Sequence, residues 1–209
     1  MVVISVQDQV PDRRNQILEV ALKLFATRGY HKTKVSDIVQ AAGVAQGTFY
    51  WYFKSKEAIA LEIINNGQNS LIIVISQGYR ESKGTVQEVV KASEKLFEDF
   101  FTYSQQNSSF MKLLLQGIET EDSVQTAILE TRQKLEEAFQ SNIQRATELG
   151  ILPKNNSAIQ SAMLVSLVEG MLERWLFCPV HQHANLQKKS AKELAQEVVK
   201  FEFFGLLGI

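Results

Sequence analysis

The chain has 209 residues, 45% of them apolar and 9% aromatic, with a formal net charge of −1. It can therefore bury a real core, as one domain or as a small domain beside a larger one. The unbroken apolar run Leu71 to Ile75 falls well short of the roughly 18–20 residues of a membrane span, so no membrane partner is expected. Met1 to Pro11 carries no basic residue and no secretory pattern, and Cys178 is the only cysteine. An internal disulfide is excluded, and a reducing cytoplasm is the expected location.

The charge is unevenly placed. Pro11 to Glu57 holds eight Lys or Arg against four Asp or Glu, and the remainder holds fourteen against nineteen. Phosphate-seeking charge is thus concentrated near the N-terminus.

Only three prolines occur, Pro11, Pro153 and Pro179, and strand-like alternation is hard to find between them, so helix is the expected element throughout. Ile17, Val20, Ala21, Leu24 and Phe25 form one apolar stripe on a helix running from near Asp12 to Gly29. Val35, Ile38, Val39 and Ala42 make a shorter second helix closed by Gly43, and a third fits Ala45 to Trp51. Ser55 caps a fourth, with Glu57 in its first turn where the helix dipole favours an anion; it runs to about Ser76. Further helices are expected at Thr85 to Tyr103, Phe110 to Ile118 and Ser123 to Leu149, the last stopped by Gly150 with Pro153 beyond it. Asn156 to Phe177 is too apolar for one core-facing stripe, and Ser190 to about Leu207 closes an all-α chain of about nine helices.

Val35 to Tyr52 reads as helix, sharp glycine turn, helix, with Gly43 at the turn and Val44 plugging the angle. Helix-turn-helix spacing of this kind lets a short second helix enter the major groove, where its early side chains reach base edges while flanking polar groups hold phosphates. The same spacing also occurs in helical hairpins that pack for structural reasons alone.

The string from Arg14 to Glu57, RNQILEVALKLFATRGYHKTKVSDIVQAAGVAQGTFYWYFKSKE, is specific. It closely resembles the TetR family signature: Phe25 to Tyr30 for Phe-x-x-x-Gly-Tyr/Phe, then Thr33, Val35, Ala42-Gly43-Val44, Gly47 to Phe53 and Ser55-Lys56-Glu57. The rest of the chain agrees with that family in helix count and length but carries no motif of it.

The resemblance implies a ligand-responsive transcriptional regulator, usually a repressor, and not an enzyme. It implies a helix-turn-helix head at 11–57 and a ligand-binding, dimerising body at 58–209, with the boundary inside the fourth helix near 58–66. Thr33, Tyr50 and Lys56 would contact phosphates, and Gln46, Thr48 and Trp51 would point to the groove, with Gln46 suited to adenine N6 and N7. Gly47 belongs to the same surface. Tyr52 and Phe53 read as core anchors. Lys34 and Ala45 stand where Ser or Thr usually caps the second and third helices; a lost cap costs about 1 kcal/mol, which a Lys34 contact to phosphate would partly offset. The implied partners are double-stranded operator DNA, a second copy of the chain and a largely apolar small-molecule effector. Two recognition helices would sit roughly 34 Å apart on a pseudo-palindrome.

In the body, Phe97, Phe101, Met111, Leu114 and Trp175 could line an apolar effector cavity, with core packing the simpler role for any one of them. Met163, Leu167, Gly170, Arg174, Leu194, Val198 and Phe201 are the expected dimer-facing positions of the last two long helices, which would form a four-helix interface. Glu169 and Glu173 suit either an interfacial ion pair or ligand recognition. Cys178, His181 and His183 have a spacing a soft metal could use, but a solvated loop is the simpler reading, and neither a metal nor a cofactor is expected. No Gly-x-Ser-x-Gly, His-Glu-x-x-His or glycine-rich phosphate loop occurs. An apolar-ligand carrier with a weak DNA-binding head is the alternative function, and an enzyme using Cys178 a further rival.

Overall fold

Glycine and cap residues set the first boundaries. In the computed structural model, which describes residues 13–117 and 122–205, α1 (Arg13–Arg28) ends at Gly29, whose φ of +89° is one only glycine adopts readily. α2 (Val35–Ala42) stops at Gly43 in the left-handed region, where the Val44 N–H bonds Val39 O and the Gly43 N–H bonds Gln40 O. Lys34, ahead of α2, has no capping oxygen. The Asp37 carboxylate instead accepts the Lys34 backbone N–H at 2.8 Å and so supplies half of a capping box. α3 (Gln46–Tyr52) starts from Ala45 with no side-chain cap at all.

These three helices close on Ile17, Ala21, Phe25, Ile38, Phe49 and Phe53, all buried, with Ile59 of α4 (Lys56–Ser76) completing the head core. Ser55 caps α4 by accepting the Ala58 N–H at 3.0 Å. α4 has the length and mean hydropathy of a membrane span. Its apolar residues Ile59, Ile63, Ile64, Leu71 and Ile75 are instead buried against the rest of the protein. The helix runs out of the head and along α7 (Asp122–Glu148), where buried Thr131 donates to Gln68 Oε1 and Asn142 donates to Ile75 O at 2.8 Å.

α5 (Val86–Gln106) begins with a full capping box between Thr85 and Glu88, and α10 (Ala191–Phe204) begins with one between Ser190 and Glu193. These two helices pack along each other, α8 (Ser157–Leu176) packs on α7, and α6 (Ser108–Gln116) lies under α1. Phe97 stacks on Phe139, and Phe101 meets Trp175 edge-on, filling the body core.

Ten helices, not nine, occur among the described residues. The added one, α9 (Val180–Gln187), occupies the segment expected to be a loop, with a backbone kink at His183. The expected helix limits at Asp12, Ile118 and Leu207, and the head's first residue Pro11, lie outside the described residues.

Candidate nucleic-acid interface and effector cavity

A seven-residue helix can bury only one side. Phe49 faces inward and is fully buried, which turns Gln46, Gly47, Tyr50 and Trp51 outward along the opposite sector and leaves Thr48 half-buried at its edge. Tyr50 is 51% exposed and Trp51 77% exposed. The exposed rings are braced from below, Tyr50 by Phe49 at 5.4 Å between centroids and Trp51 by half-buried Tyr52 at 4.5 Å. Lys34, ahead of α2, and Ala45, ahead of α3, are exposed as well.

Two expected phosphate contacts are placed elsewhere. Thr33 has no exposed surface; its hydroxyl donates to Gly29 O at 2.8 Å and ties the α1–α2 turn together. Buried in this turn, Thr33 presents no surface to a phosphate. Lys56 donates from Nζ to Tyr30 O at 2.9 Å, with its ammonium 4.0 Å from the Tyr30 ring centroid, so this cation also fastens the head to the start of α4. Arg14 strengthens the same joint through a 2.6 Å ion pair with Glu62 and a position over the Phe53 ring. Sequence reasoning missed this joint, although Arg14 and Glu62 both fall on outward positions of amphipathic helices.

Of the five residues expected to line a cavity, Phe97 stands in the wall of one. Phe101, Met111, Leu114 and Trp175 are buried in side-chain packing, with the Trp175 indole N–H donating to Lys189 O at 3.1 Å. That cavity, about 60 Å³, lies between α5, α7, α8 and α10. Its walls are Val89, Leu96, Phe97, Phe139, Ile143, Leu152, Leu164 and Phe203, with Arg80 and Glu202 as its charged groups. Gly78 and Arg80, just past the end of α4, border it.

The expected dimer face divides in two. Leu194 and Val198 are fully buried on the α5 side of α10, inside the protomer's own core, and are unavailable to a partner. Arg174 folds back to donate to Gly170 O on its own helix at 2.7 Å, and Glu169 is taken by Arg132 of α7 at 2.5 Å. Met163 (69% exposed), Ile159, Phe201 (43%) and Phe204 stay open to solvent, and Met163, Leu167 and Phe201 border a groove of about 220 Å³. Cys178 is half-buried, its carbonyl accepting the Gln187 amide. The His181 side chain lies outside the described residues, among which no three His, Cys, Asp or Glu are grouped to hold a metal.

Residues 17–63 match the family of bacterial regulatory proteins described as the tetR family. Over 197 residues the chain is 25% identical to an uncharacterized HTH-type transcriptional regulator, YdgC, of Bacillus subtilis (strain 168), covering 94% of this chain and 93% of that protein. The crystal structure of PfmR, a TetR family transcriptional regulator from Thermus thermophilus, is similar at a TM-score of 0.70 and 27% identity, covering 92% of this chain and 96% of that one. The transcriptional regulator FadR from Bacillus subtilis, solved in complex with stearoyl-CoA, shares the fold at a TM-score of 0.70 and 21% identity, over 93% and 98% of the two chains.

Proposed function

Because this chain belongs to the TetR family and is a DNA-binding transcriptional regulator, we propose that it acts as a homodimeric repressor that an apolar small molecule releases from a pseudo-palindromic operator. The observation that carries this reading is the course of α4. Its first turn is fastened to the head through Lys56 and Tyr30, and the chain just past its last turn, at Gly78 and Arg80, borders the body cavity. A molecule that enlarges that cavity acts directly on the helix that carries the head.

At about 60 Å³ the cavity holds no more than a few waters, so an effector binds a body in which α5, α7, α8 and α10 stand further apart. That requirement gives the effector the differential affinity for two conformations without which no release occurs. The cavity's aliphatic and aromatic walls suit a hydrocarbon chain, and the stearoyl-CoA held by the Bacillus subtilis neighbour makes a long-chain acyl thioester the first probe. Dimerisation through Ile159, Met163, Phe201 and Phe204 would cover the exposed apolar face of α8 and α10.

The test is a calorimetric cycle in which stearoyl-CoA and operator DNA are each titrated into the protein with and without the other. Reciprocal weakening by the same factor is expected, and a hundredfold effect corresponds to about 2.7 kcal/mol of coupling. Independent binding of the two would refute allosteric release.

A further inference from the structure

Trp51 is the most exposed large apolar side chain among the described residues, and it stands on the outward face of α3. One turn before it, on the same side, is Gly47. Glycine weakens a helix relative to alanine, and nothing in the fold asks for it here: the backbone is helical, and a Cβ at Gly47 would meet no atom within 4 Å. Side chains on a helix lean toward its N-terminus, so an indole at position 51 can reach over the turn that begins at Gly47. Tyr52 braces it edge-on at 4.5 Å. Bare backbone at Gly47 and the exposed indole of Trp51 thus stand one turn apart on the outward face of α3.

We propose that Gly47 and Trp51 form a notch that receives the 5-methyl group of a thymine in the major groove, making them specificity-determining residues. In the major groove the thymine methyl is the apolar mark of an A·T pair. Gln46 is the one amide on the outward sector, suited to adenine, while Thr48 is half-buried at its edge. A small-residue floor lets the helix approach the base edge closely, and the indole then covers the methyl and excludes water from it.

The experiment starts from a duplex that the full-length protein selects from a random-sequence pool. Each thymine is replaced in turn by deoxyuridine, which removes the methyl and leaves base pairing intact. Wild-type binding is expected to weaken about fourfold at one thymine per half-site, the effect of burying one methyl. Trp51→Ala removes the wall and Gly47→Ala fills the floor. Both should bind the thymine and uracil duplexes equally, and neither residue touches the head core, so circular-dichroism melts should stay at or above wild type. Gln46→Ala should keep the wild-type thymine preference. Uracil tolerated at every position by the wild type, or a preference that survives in either notch variant, would overturn the proposal.

Discussion

Gly67 of α4 lies directly against the far end of the Phe110 ring of α6: a Cβ built on Gly67 would run into that ring. Phe110 is buried, and α6 also lies under α1, so this contact locks the helix that leaves the head against the helix that supports it. Gly67→Ala improves helix propensity but overpacks the site. A net loss of about 1–3 kcal/mol in urea unfolding is expected, where an uncrowded helical site would gain from the same change. Phe110→Ala leaves a cavity instead and should cost about 3–5 kcal/mol.

Lys34 and Lys56 should separate in a salt titration. Lys34 is exposed at the start of α2, so Lys34→Ala should lower the slope of log affinity against log salt by about 0.9 per bound protomer. Lys56 spends its ammonium on Tyr30, so Lys56→Ala should leave the slope unchanged and lower the melting temperature through loss of about 1 kcal/mol of hydrogen bonding. A reduced slope for Lys56→Ala would place that side chain on phosphate.

The chain's two tryptophans report on different places. Trp51 is exposed on α3, whereas Trp175 is buried with its indole bonded to Lys189 O. Acrylamide should quench the emission of a Trp175→Phe variant strongly, and operator DNA should protect it. A Trp51→Phe variant should be weakly quenched and insensitive to DNA.

Acid should loosen α5 and α10 from their N-terminal ends. The backbone N–H of Thr85 and then its hydroxyl hold the Glu88 carboxyl below the usual carboxylate range, and Ser190 does the same for Glu193. A depressed carboxyl contributes stability that is fully present above its unfolded-state pKa, near 4.5, and is lost as the pH falls through the lower folded value. Hydrogen exchange at the first turns of both helices should therefore accelerate below about pH 4.5, and Glu88→Gln and Glu193→Gln should flatten that dependence.

Helix limits were legible wherever a residue with special backbone or capping chemistry stood at them. Gly43, Ser55, Thr85, Asn156 and Ser190 each mark an observed end to within a residue or two. α9 was not legible, because its His- and Gln-rich residues make no apolar stripe. The outward direction of Gln46 and Trp51 was legible through the family resemblance, but Phe49 as the residue that α3 buries was not, and burial of Thr33 depends on a carbonyl of the α1 turn that sequence does not place. The same limit governs α10: it is apolar on more than one side, and only its packing on α5 shows that Leu194 and Val198 turn inward while Phe201 stays out. Arg14 and Glu62, 48 positions apart, meet only once α4 has crossed α1.

The most direct measurement of the central claim is fluorescence anisotropy of DNA from immediately upstream of the protein's own coding region, against a shuffled duplex, at two salt concentrations. A sequence-reading regulator should prefer the native DNA, bind it more weakly at the higher salt, and lose that preference in Tyr50→Ala and Trp51→Ala. Equal, weak binding of both duplexes, unchanged by these substitutions, would contradict sequence-specific control at that promoter by the α3 face.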